Sequence, residues 1–383
     1  MNFEFTQEEN MLREQVKRLA KEKLGPLSGK LREEEESREI SLQIIKALGD
    51  QGLTGLYVPE EYGGAGVKSV GICIVREELT KVSHLADLLF AELGLATFGI
   101  TFEGNGEQKK KYLPRVARGE ILGSFSLTEP NAGSDVAALQ ARAKRDGDSY
   151  ILSGEKTFAS VAGIADLYLI FAKTDPEKGR KGISAFLVEA GTPGIEIRSM
   201  EMMAGAPEYS IYLSDCRVPA ASRLGKEGAG WEVAFGTLDT FRVSVGAAML
   251  GLAEAAFEEA FSYARKRTAF GKPISEFQAT QLKLANMAME IEAARWMIYR
   301  AAHLKDEGKV SRTIKYASMA KLFATEMAWR VADEAVQIHG GSGVTKGVRV
   351  EQLLREARLP RIYEGTSEIQ RLTIYREMER DSK

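Results

Sequence analysis

The feature that most constrains the fold is a change in sequence texture in the middle of the chain. Residues 122–224 carry short β-prone runs, separated by turn signals such as Asp146-Gly147-Asp148 and Thr192-Pro193-Gly194. The clearest runs are Tyr150-Ile151-Leu152, Leu167-Tyr168-Leu169-Ile170-Phe171, Ile183-Ser184-Ala185-Phe186-Leu187-Val188 and Ser210-Ile211-Tyr212-Leu213. Because no helical stretch separates them, they predict an antiparallel sheet or a small barrel instead of βαβ units.

Helical periodicity dominates both flanks of this stretch. Thr6-Gln7-Glu8-Glu9 has the pattern of a capping box that starts a helix. Further helical segments are predicted at 41–49, 71–118, 231–266, 277–304 and 311–338, with a loop at 57–66. The pattern predicts an α+β fold that is mainly α. Its predicted parts are an N-terminal helical domain (1–121), a middle antiparallel β-domain (122–228) and a C-terminal helical bundle (229–383).

Composition and charge argue against several classes of protein. The 383 residues suit two or three packed units, and the formal charge of −2 gives no reason to expect a nucleic acid or anionic membrane partner. Cys73 and Cys216 lie far apart, and His84, His303 and His339 are scattered, so neither a metal site nor a disulfide framework is predicted. No signal-peptide pattern is present, and no uncharged apolar run reaches the ~20 residues that span a bilayer. A soluble cytoplasmic protein is expected.

A candidate catalytic glutamate lies near the C-terminal end. Pro360 and Gly365 interrupt the last helical region, and Ser367-Glu368-Ile369-Gln370 has the pattern of a second capping box. Glu364 is therefore predicted to lie in a loop between two helix ends, where its side chain can be held in one orientation.

Five segments carry a resemblance to a known family. They are Val58-Pro59-Glu60-Glu61-Tyr62-Gly63-Gly64, Phe125-Ser126-Leu127-Thr128-Glu129-Pro130-Asn131-Ala132-Gly133-Ser134-Asp135, Arg267-Thr268-Ala269-Phe270-Gly271-Lys272-Pro273, Gln337-Ile338-His339-Gly340-Gly341 and Tyr363-Glu364-Gly365-Thr366. In this order and spacing they resemble the acyl-CoA dehydrogenase family over essentially the whole chain. The resemblance implies a helical domain, a β-domain and a C-terminal four-helix bundle, with FAD as cofactor.

The resemblance also implies which residues bind FAD. These are Leu127 (through its backbone), Thr128, Gly133, Ser134, Phe158, Ser160, Arg267, Phe270, Gln278, Gln337, Gly340, Gly341, Thr366 and Glu368. Arg267 and Gln278 are expected to reach the FAD pyrophosphate of a neighbouring subunit, because a guanidinium fork suits phosphate oxygens. The implied assembly is a homotetramer, a dimer of dimers. Ser134 is expected to contact a phosphate-bearing ligand, either FAD or CoA.

The same resemblance makes Glu364 the catalytic base. It would take the α proton of an acyl-CoA thioester while a hydride leaves the β carbon for the flavin N5. The backbone N–H of Glu364 and a flavin ribityl hydroxyl would stabilise the enolate oxygen. Some relatives place the base near residues 238–242, but Phe241 occupies that position here and cannot take a proton. Arg242 is expected to orient the catalytic loop or to bind the CoA end.

The acyl pocket is expected along residues 88–99 and around Phe241. Substrate contacts are predicted for Ser134, Phe90, Ala91, Asp239, Phe241, Arg242 and Gly365. Small residues are common in the family where Phe241 stands, so a narrow cavity is predicted. It would suit a short, branched or alicyclic acyl group such as cyclohexanecarboxyl-CoA. Segments 160–163 and 202–210 depart from the family pattern, which predicts altered surroundings for CoA or flavin.

Two alternatives remain open at this level. The first is a relative with different redox chemistry, such as an acyl-CoA oxidase or a flavin monooxygenase; oxidases generally carry a further C-terminal domain, and monooxygenases usually lack the glutamate. The second is a non-enzymatic acyl-CoA-binding helical protein, which would be colourless. For the dehydrogenase, the resemblance implies electron-transferring flavoprotein as the electron acceptor.

Overall fold

The computed structural model describes residues 4–30, 38–204, 208–308 and 310–382. Its helices are α1 (Gln7–Leu19), α2 (Gly25–Lys30), α3 (Arg38–Asp50), α4 (Ser69–Val82), α5 (His84–Glu103), α6 (Gly106–Ala117), α7 (Gly230–Lys266), α8 (Gln278–Asp306), α9 (Val310–His339), α10 (Arg349–Arg358) and α11 (Ser367–Asp381). Its strands are β1 (Gly123–Ser126), β2 (Arg142–Asp146), β3 (Ser149–Ser160), β4 (Leu167–Lys173), β5 (Ile183–Glu189), β6 (Ile195–Met200), β7 (Glu208–Pro219), β8 (Arg223–Leu224), β9 (Thr268–Ala269) and β10 (Lys272–Pro273). The predicted order of helices, strands and helices is confirmed.

The chain divides into two compact units, each considered as far as the structure describes it. The helical unit comprises Met1–Gly25, Lys68–Asp87 and Phe241–Lys383. The sheet unit comprises Pro26–Val67 and Leu88–Thr240. These units group segments by contact, whereas the predicted domains follow the chain, so the predicted boundaries after residues 121 and 228 stay predictions. In segment 202–210, which departs from the family pattern, residues 205–207 lie outside the described residues.

Small side chains dominate the core of the helical unit. Within it α1 packs on α4, α4 packs on α8, and α9 contacts α8, α10 and α11. Ala247, Ala256 and Ala294 are completely buried in the long helices. A Cβ added to Gly251 of α7 would lie 2.0 Å from the carbonyl oxygen of Glu77 in α4, so only glycine permits this close approach. The long helices predicted near 231–266, 277–304 and 311–338 are confirmed as α7, α8 and α9.

One sheet forms the centre of the sheet unit. Its strand order is β6-β7-β3-β2-β4-β5-β8, and β1 pairs with β4. The pairings are antiparallel as predicted, except that β4 runs parallel to β1 and, through Lys173 and Arg142, to β2. The β2–β3 hairpin lies between β1 and β4 in the chain, so β4 can return in the direction of β1. β3 has a bulge between Lys156 and Ala159, where its register against β7 shifts.

Two helices are long and apolar enough, by length and composition, to cross a membrane. They are α5 and α7, and 72% and 83% of their most apolar windows are buried inside the protein. Such burial is typical of core helices in globular proteins, which satisfy the same length and hydropathy test. The length of these helices therefore gives no membrane assignment.

Candidate active site

The predicted catalytic loop lies in the helical unit between a 3₁₀ turn, Leu359–Arg361, and α11. Thr366 is the N-cap of α11, and its hydroxyl oxygen accepts a hydrogen bond from the N–H of Ile369 at 3.2 Å. The predicted capping box at Ser367 is therefore wrong: the N-cap lies one residue earlier, and its N3 residue, Ile369, has no polar side chain that could complete a box. Thr366 has the extended backbone that an N-cap requires, whereas Ser367 is already helical and donates its hydroxyl to Glu326 at 2.6 Å.

Glu364 adopts a backbone conformation that is uncommon for residues other than glycine. Its φ is 50°, and the next residue, Gly365, has φ of 90°. Among the described residues, the other non-glycine residues with positive φ are Phe158, Val161, Asp215 and Phe270. Phe158 and Phe270 are also predicted site residues. Left-handed backbone at a residue other than glycine stores strain, and such strain is typical of functional sites.

The carboxylate of Glu364 is buried, although the residue as a whole is partly exposed. In the described part of the chain its Oε2 atom has no hydrogen-bond partner. Burial raises the pKa of Glu364, while the positive charges of Arg76, Lys321 and Arg242 act in the opposite direction without cancelling the rise. A carboxyl group with these properties can serve as a general base near neutral pH.

Two of these cations, Arg76 and Lys321, were not predicted from the sequence. Arg76 in α4 forms a bidentate pair with Asp87 at 2.8 and 2.9 Å and donates to the Ser244 hydroxyl at 3.0 Å. Lys321 in α9 is completely buried. The sequence signal that could have found both residues is a charged residue inside an apolar helical run. Charged side chains are almost never fully buried unless they are paired, so such a residue indicates a specific partner. Arg242, which was predicted, is 6% exposed.

A cavity of about 260 Å³ in the helical unit brings together two predicted FAD residues, Phe270 and Gln337. It is lined by Ala269, Phe270, Ile274, Phe277, Thr280, Lys283, Gln337 and Ile338. The β9–β10 hairpin presents Phe270 at its tip, where the side chain is 96% exposed. Lys283 also lines this cavity, and no pattern in the sequence singled it out.

Other predicted FAD residues of the helical unit have surfaces that face outward. Arg267, Gln278, Gly340, Gly341 and Glu368 are exposed, and Thr366 is half-buried. A Cβ added to Gly340 or Gly341 would meet no protein atom within 4 Å. The φ of 58° at Gly340 favours glycine by itself, whereas neither packing nor positive φ explains Gly341, where a close approach of a ligand to the backbone would.

A second buried lysine holds the predicted flavin loop in the sheet unit. Lys156 donates to the carbonyl oxygen of Leu127 at 3.1 Å and to the carboxylate of Glu129 at 2.7 Å. Burial lowers the pKa of Lys156 to about 8, although Glu129 acts in the opposite direction. The carbonyl oxygen of Thr128 accepts the N–H of Thr157 at 2.9 Å. The backbone of the Leu-Thr-Glu segment is therefore fastened to β3.

The bulge in β3 exposes the predicted flavin aromatic. Phe158 has φ of 53° and a side chain that is 51% exposed, a poor arrangement for a core residue. Ser160, two residues along, is buried and donates its hydroxyl to Glu208 at 2.7 Å. Gly133 and Ser134 lie in the exposed turn after β1, and a Cβ on Gly133 would meet no protein atom within 4 Å.

Three of the predicted substrate residues, Phe90, Ala91 and Phe241, are apolar and buried. Phe90 and Ala91 lie in the part of α5 that belongs to the sheet unit, and the Phe90 ring centroid is 4.7 Å from that of Tyr57. Asp239 is half-buried in the first turns of α7. Phe241, in the helical unit, is 1% exposed. Their contacts with substrate stay predictions.

Three family models cover nearly the whole chain. The acyl-CoA dehydrogenase N-terminal domain matches residues 6–120, the middle domain matches 124–216, and the C-terminal domain matches 228–379. The chain belongs to the acyl-CoA dehydrogenase family. It is an FAD-dependent oxidoreductase of that family, as the resemblance implied.

Individual acyl-CoA dehydrogenases are similar over their full length. A short-chain specific acyl-CoA dehydrogenase of Clostridium acetobutylicum is 40% identical over 378 residues, which cover 98% of each chain. The solved butyryl-CoA dehydrogenase of Megasphaera elsdenii is 36% identical, with a TM-score of 0.93 over 99% of this chain and 100% of that one. A chain solved in work on the electron transferring flavoprotein of Acidaminococcus fermentans is 39% identical, with a TM-score of 0.94 over 100% of both chains.

The side chains of this family member suit a bound FAD. Phe270 is almost fully exposed on a strained hairpin beside the cavity, which is unfavourable unless a ligand or another chain covers it. Gln337 offers an amide to the same cavity. Arg267 is exposed in the same unit and carries a charge that suits the phosphates of a dinucleotide, whereas the charge of Lys283 is paired with Glu334.

Proposed function

We propose that this protein removes a proton and a hydride from the α and β carbons of an acyl-CoA thioester, with Glu364 as the general base. Bound FAD would supply the hydride acceptor, since no side chain can accept a hydride. Glu364 would take the α proton on its carboxylate. Its backbone N–H would donate to the thioester carbonyl oxygen as negative charge develops there.

The buried carboxylate of Glu364 is the observation that supports this role most strongly. Its Oε2 atom has no hydrogen-bond partner in the described part of the chain, so it is available to a substrate. Its raised pKa, caused mainly by burial, makes the carboxylate a stronger base than a solvated glutamate. Phe241, at the alternative position, has no group that can accept a proton. Glu364 is therefore the favoured base.

We also propose a short, branched or alicyclic acyl group, with cyclohexanecarboxyl-CoA as one candidate. Phe241 is buried, and at a position where small residues are common in the family its ring would take up volume that a longer chain needs. The names of two relatives, one short-chain specific and one a butyryl-CoA dehydrogenase, agree with a short substrate. The proposed substrate contacts of Phe90, Ala91, Asp239, Arg242 and Gly365 follow from the family resemblance.

The proposed working form is a cytoplasmic homotetramer that passes electrons to an electron-transferring flavoprotein. The outward-facing FAD residues Arg267, Phe270 and Gln278 support a cofactor site that is completed by a second subunit. The similarity to a chain studied with an electron transferring flavoprotein supports that acceptor.

A panel of thioesters tests this proposal directly. The purified protein should be yellow, and its flavin should bleach anaerobically with butyryl-CoA or cyclohexanecarboxyl-CoA faster than with palmitoyl-CoA. Oxygen consumption during turnover separates a dehydrogenase from an oxidase. Faster bleaching with palmitoyl-CoA would contradict the narrow pocket, and a colourless protein that binds no FAD would contradict the enzyme assignment.

A further inference from the structure

Two buried side chains hold three consecutive carbonyl groups around Glu364. Lys321 of α9 donates to the carbonyl oxygen of Tyr363 at 3.1 Å and to that of Gly365 at 2.7 Å. Gln370 of α11 donates through Nε2 to the carbonyl oxygens of Glu364 and Gly365, both at 3.0 Å. Lys321 and Gln370 are each 0% exposed. We call this arrangement the carbonyl clamp.

The local backbone explains why a clamp is useful. Positive φ at Glu364 is unfavourable, because a left-handed backbone brings Cβ close to the following carbonyl oxygen. A loop with this penalty relaxes unless surrounding contacts hold it. The contacts are close: a Cβ added to Gly365 would lie 2.5 Å from Nε2 of Gln370.

The clamp also restrains the backbone from which the reactive groups of Glu364 extend. Each peptide unit is planar, so holding the carbonyl oxygen of Tyr363 also orients the N–H of Glu364. Holding the carbonyl oxygens of Glu364 and Gly365 restrains ψ at Glu364 and therefore the direction of its side chain. Both groups that the proposed reaction uses, the carboxylate and the N–H, depend on the same two donors.

We propose that Lys321 and Gln370 are positioning residues for the general base Glu364. This inference rests on the proposed function, because it assigns to the clamp the alignment of a base whose role is itself proposed. Alignment matters strongly in such a site, since a displacement of about 1 Å can cost on the order of 10²-fold in rate.

The charge of Lys321 gives the clamp a signature that a merely structural contact lacks. Positive charge at Lys321 lowers the pKa of Glu364, as do the charges of Arg76 and Arg242, while Asp87 raises it. Burial lowers the pKa of Lys321 to about 7, and Arg242 acts in the same direction, while Glu364, Glu326 and Glu368 favour the charged form that is present below that pH. Gln370 holds the same loop without charge. The two residues should therefore affect alignment alike and proton affinity differently.

The experiment compares Lys321→Met, Gln370→Met and the double variant in the FAD-loaded full-length protein, with a thioester that the wild type oxidises. We expect each single change to lower kcat by on the order of 10²-fold while KM stays within about threefold. Because both side chains hold one loop, the double variant should lose far less than the product of the two losses. Lys315→Met, on the same helix, removes an ion pair with Asp381 and should leave kcat unchanged.

The pH profile supplies the second readout. In Lys321→Met the acidic limb of kcat/KM should move to higher pH, because a charge that lowers the pKa of Glu364 is gone. In Gln370→Met the limb should stay in place. If Lys321→Met does not retain flavin, Gln370→Met carries the test through its kcat. Wild-type kcat in both flavin-loaded single variants, or a loss confined to KM, would overturn the inference.

A parallel Glu364→Gln variant separates this inference from the proposed function. If Glu364→Gln abolishes flavin reduction but the clamp variants react at the wild-type rate, the inference fails and the function stands. If Glu364→Gln reacts at the wild-type rate, the base assignment fails, and the positioning role fails with it.

Discussion

Replacing Lys156 with methionine should lower the thermal stability of the protein by removing the buried side chain that holds the predicted flavin loop. Lys156 is 0% exposed and pairs at 2.7 Å with Glu129, whose side chain is 5% exposed. Methionine fills a similar volume but leaves the Glu129 carboxylate buried without its cation and the Leu127 carbonyl oxygen without its donor. The change therefore removes an interaction and leaves an uncompensated charge.

The expected loss of stability can be worked from this geometry. Removing one partner of a buried ion pair typically costs about 3–5 kcal/mol. Glu129 keeps hydrogen bonds from the N–H groups of Gln140 and Ala141, which favours the lower end, about 3 kcal/mol. For a unit of roughly 200 residues, each kcal/mol lowers Tm by about 2–4 °C, so Tm should fall by about 6–12 °C.

The assay is thermal unfolding of the flavin-loaded protein, combined with its FAD content. Lys178→Met is the matched control, because its pair with Asp175 is exposed and should leave Tm unchanged. Adding Glu129→Gln to Lys156→Met should recover part of the loss, since it removes the stranded charge. A fall in Tm of less than about 2 °C for Lys156→Met would refute the reasoning.

Three further predictions concern the cofactor, the base and the acyl pocket. Phe270→Asn places Asn-Gly in the β9–β10 turn, where both central residues have positive φ and Asn-Gly is the favoured pair. The Tm of the apoprotein should therefore not fall, while FAD affinity should drop by about tenfold or more. Unchanged affinity in an FAD titration would contradict the cofactor contact. Burial raises the pKa of Glu364 in the folded protein above its value in the unfolded chain. The free energy of unfolding should therefore fall as pH rises from the unfolded-state pKa through the folded-state pKa. Glu364→Gln should therefore gain Tm over the wild type at pH 8 but not at pH 4, and a constant difference across that range would argue against a raised pKa. Phe241→Ala should raise the octanoyl-CoA to butyryl-CoA ratio of kcat/KM by about tenfold, and an unchanged ratio would contradict the proposed pocket wall.

Long periodic segments made most of the fold predictable. The helices α7, α8 and α9 each repeat their apolar pattern over many turns, and their observed ends lie close to the predicted ones. The β9–β10 hairpin has two residues in each strand, too few for any periodic signal. β2 was also missed, because Arg142-Ala143-Lys144-Arg145-Asp146 is polar and mostly exposed, with only Ala143 buried.

The site was predictable where a local motif carried it and not where it depended on contacts between distant segments. The Tyr-Glu-Gly-Thr motif indicated Glu364, and the structure gives this residue a left-handed backbone with φ of 50°. Lys321 acts on carbonyl groups that lie 42 and 44 residues further along the chain, so no spacing rule could connect them. The Arg76–Asp87 pair joins α4 to α5 across a helix boundary, so the periodicity of a single helix could not predict it either.

The most direct test of the central claim is the rate of flavin reduction in Glu364→Gln. The variant should bind FAD and the thioester, because glutamine keeps the size of the side chain and the backbone N–H. Mixed anaerobically with the best substrate of the wild type, its flavin should bleach at least about 10²–10⁴-fold more slowly, the usual contribution of a general base. Bleaching at close to the wild-type rate, with substrate binding retained, would contradict the assignment of Glu364 as the base.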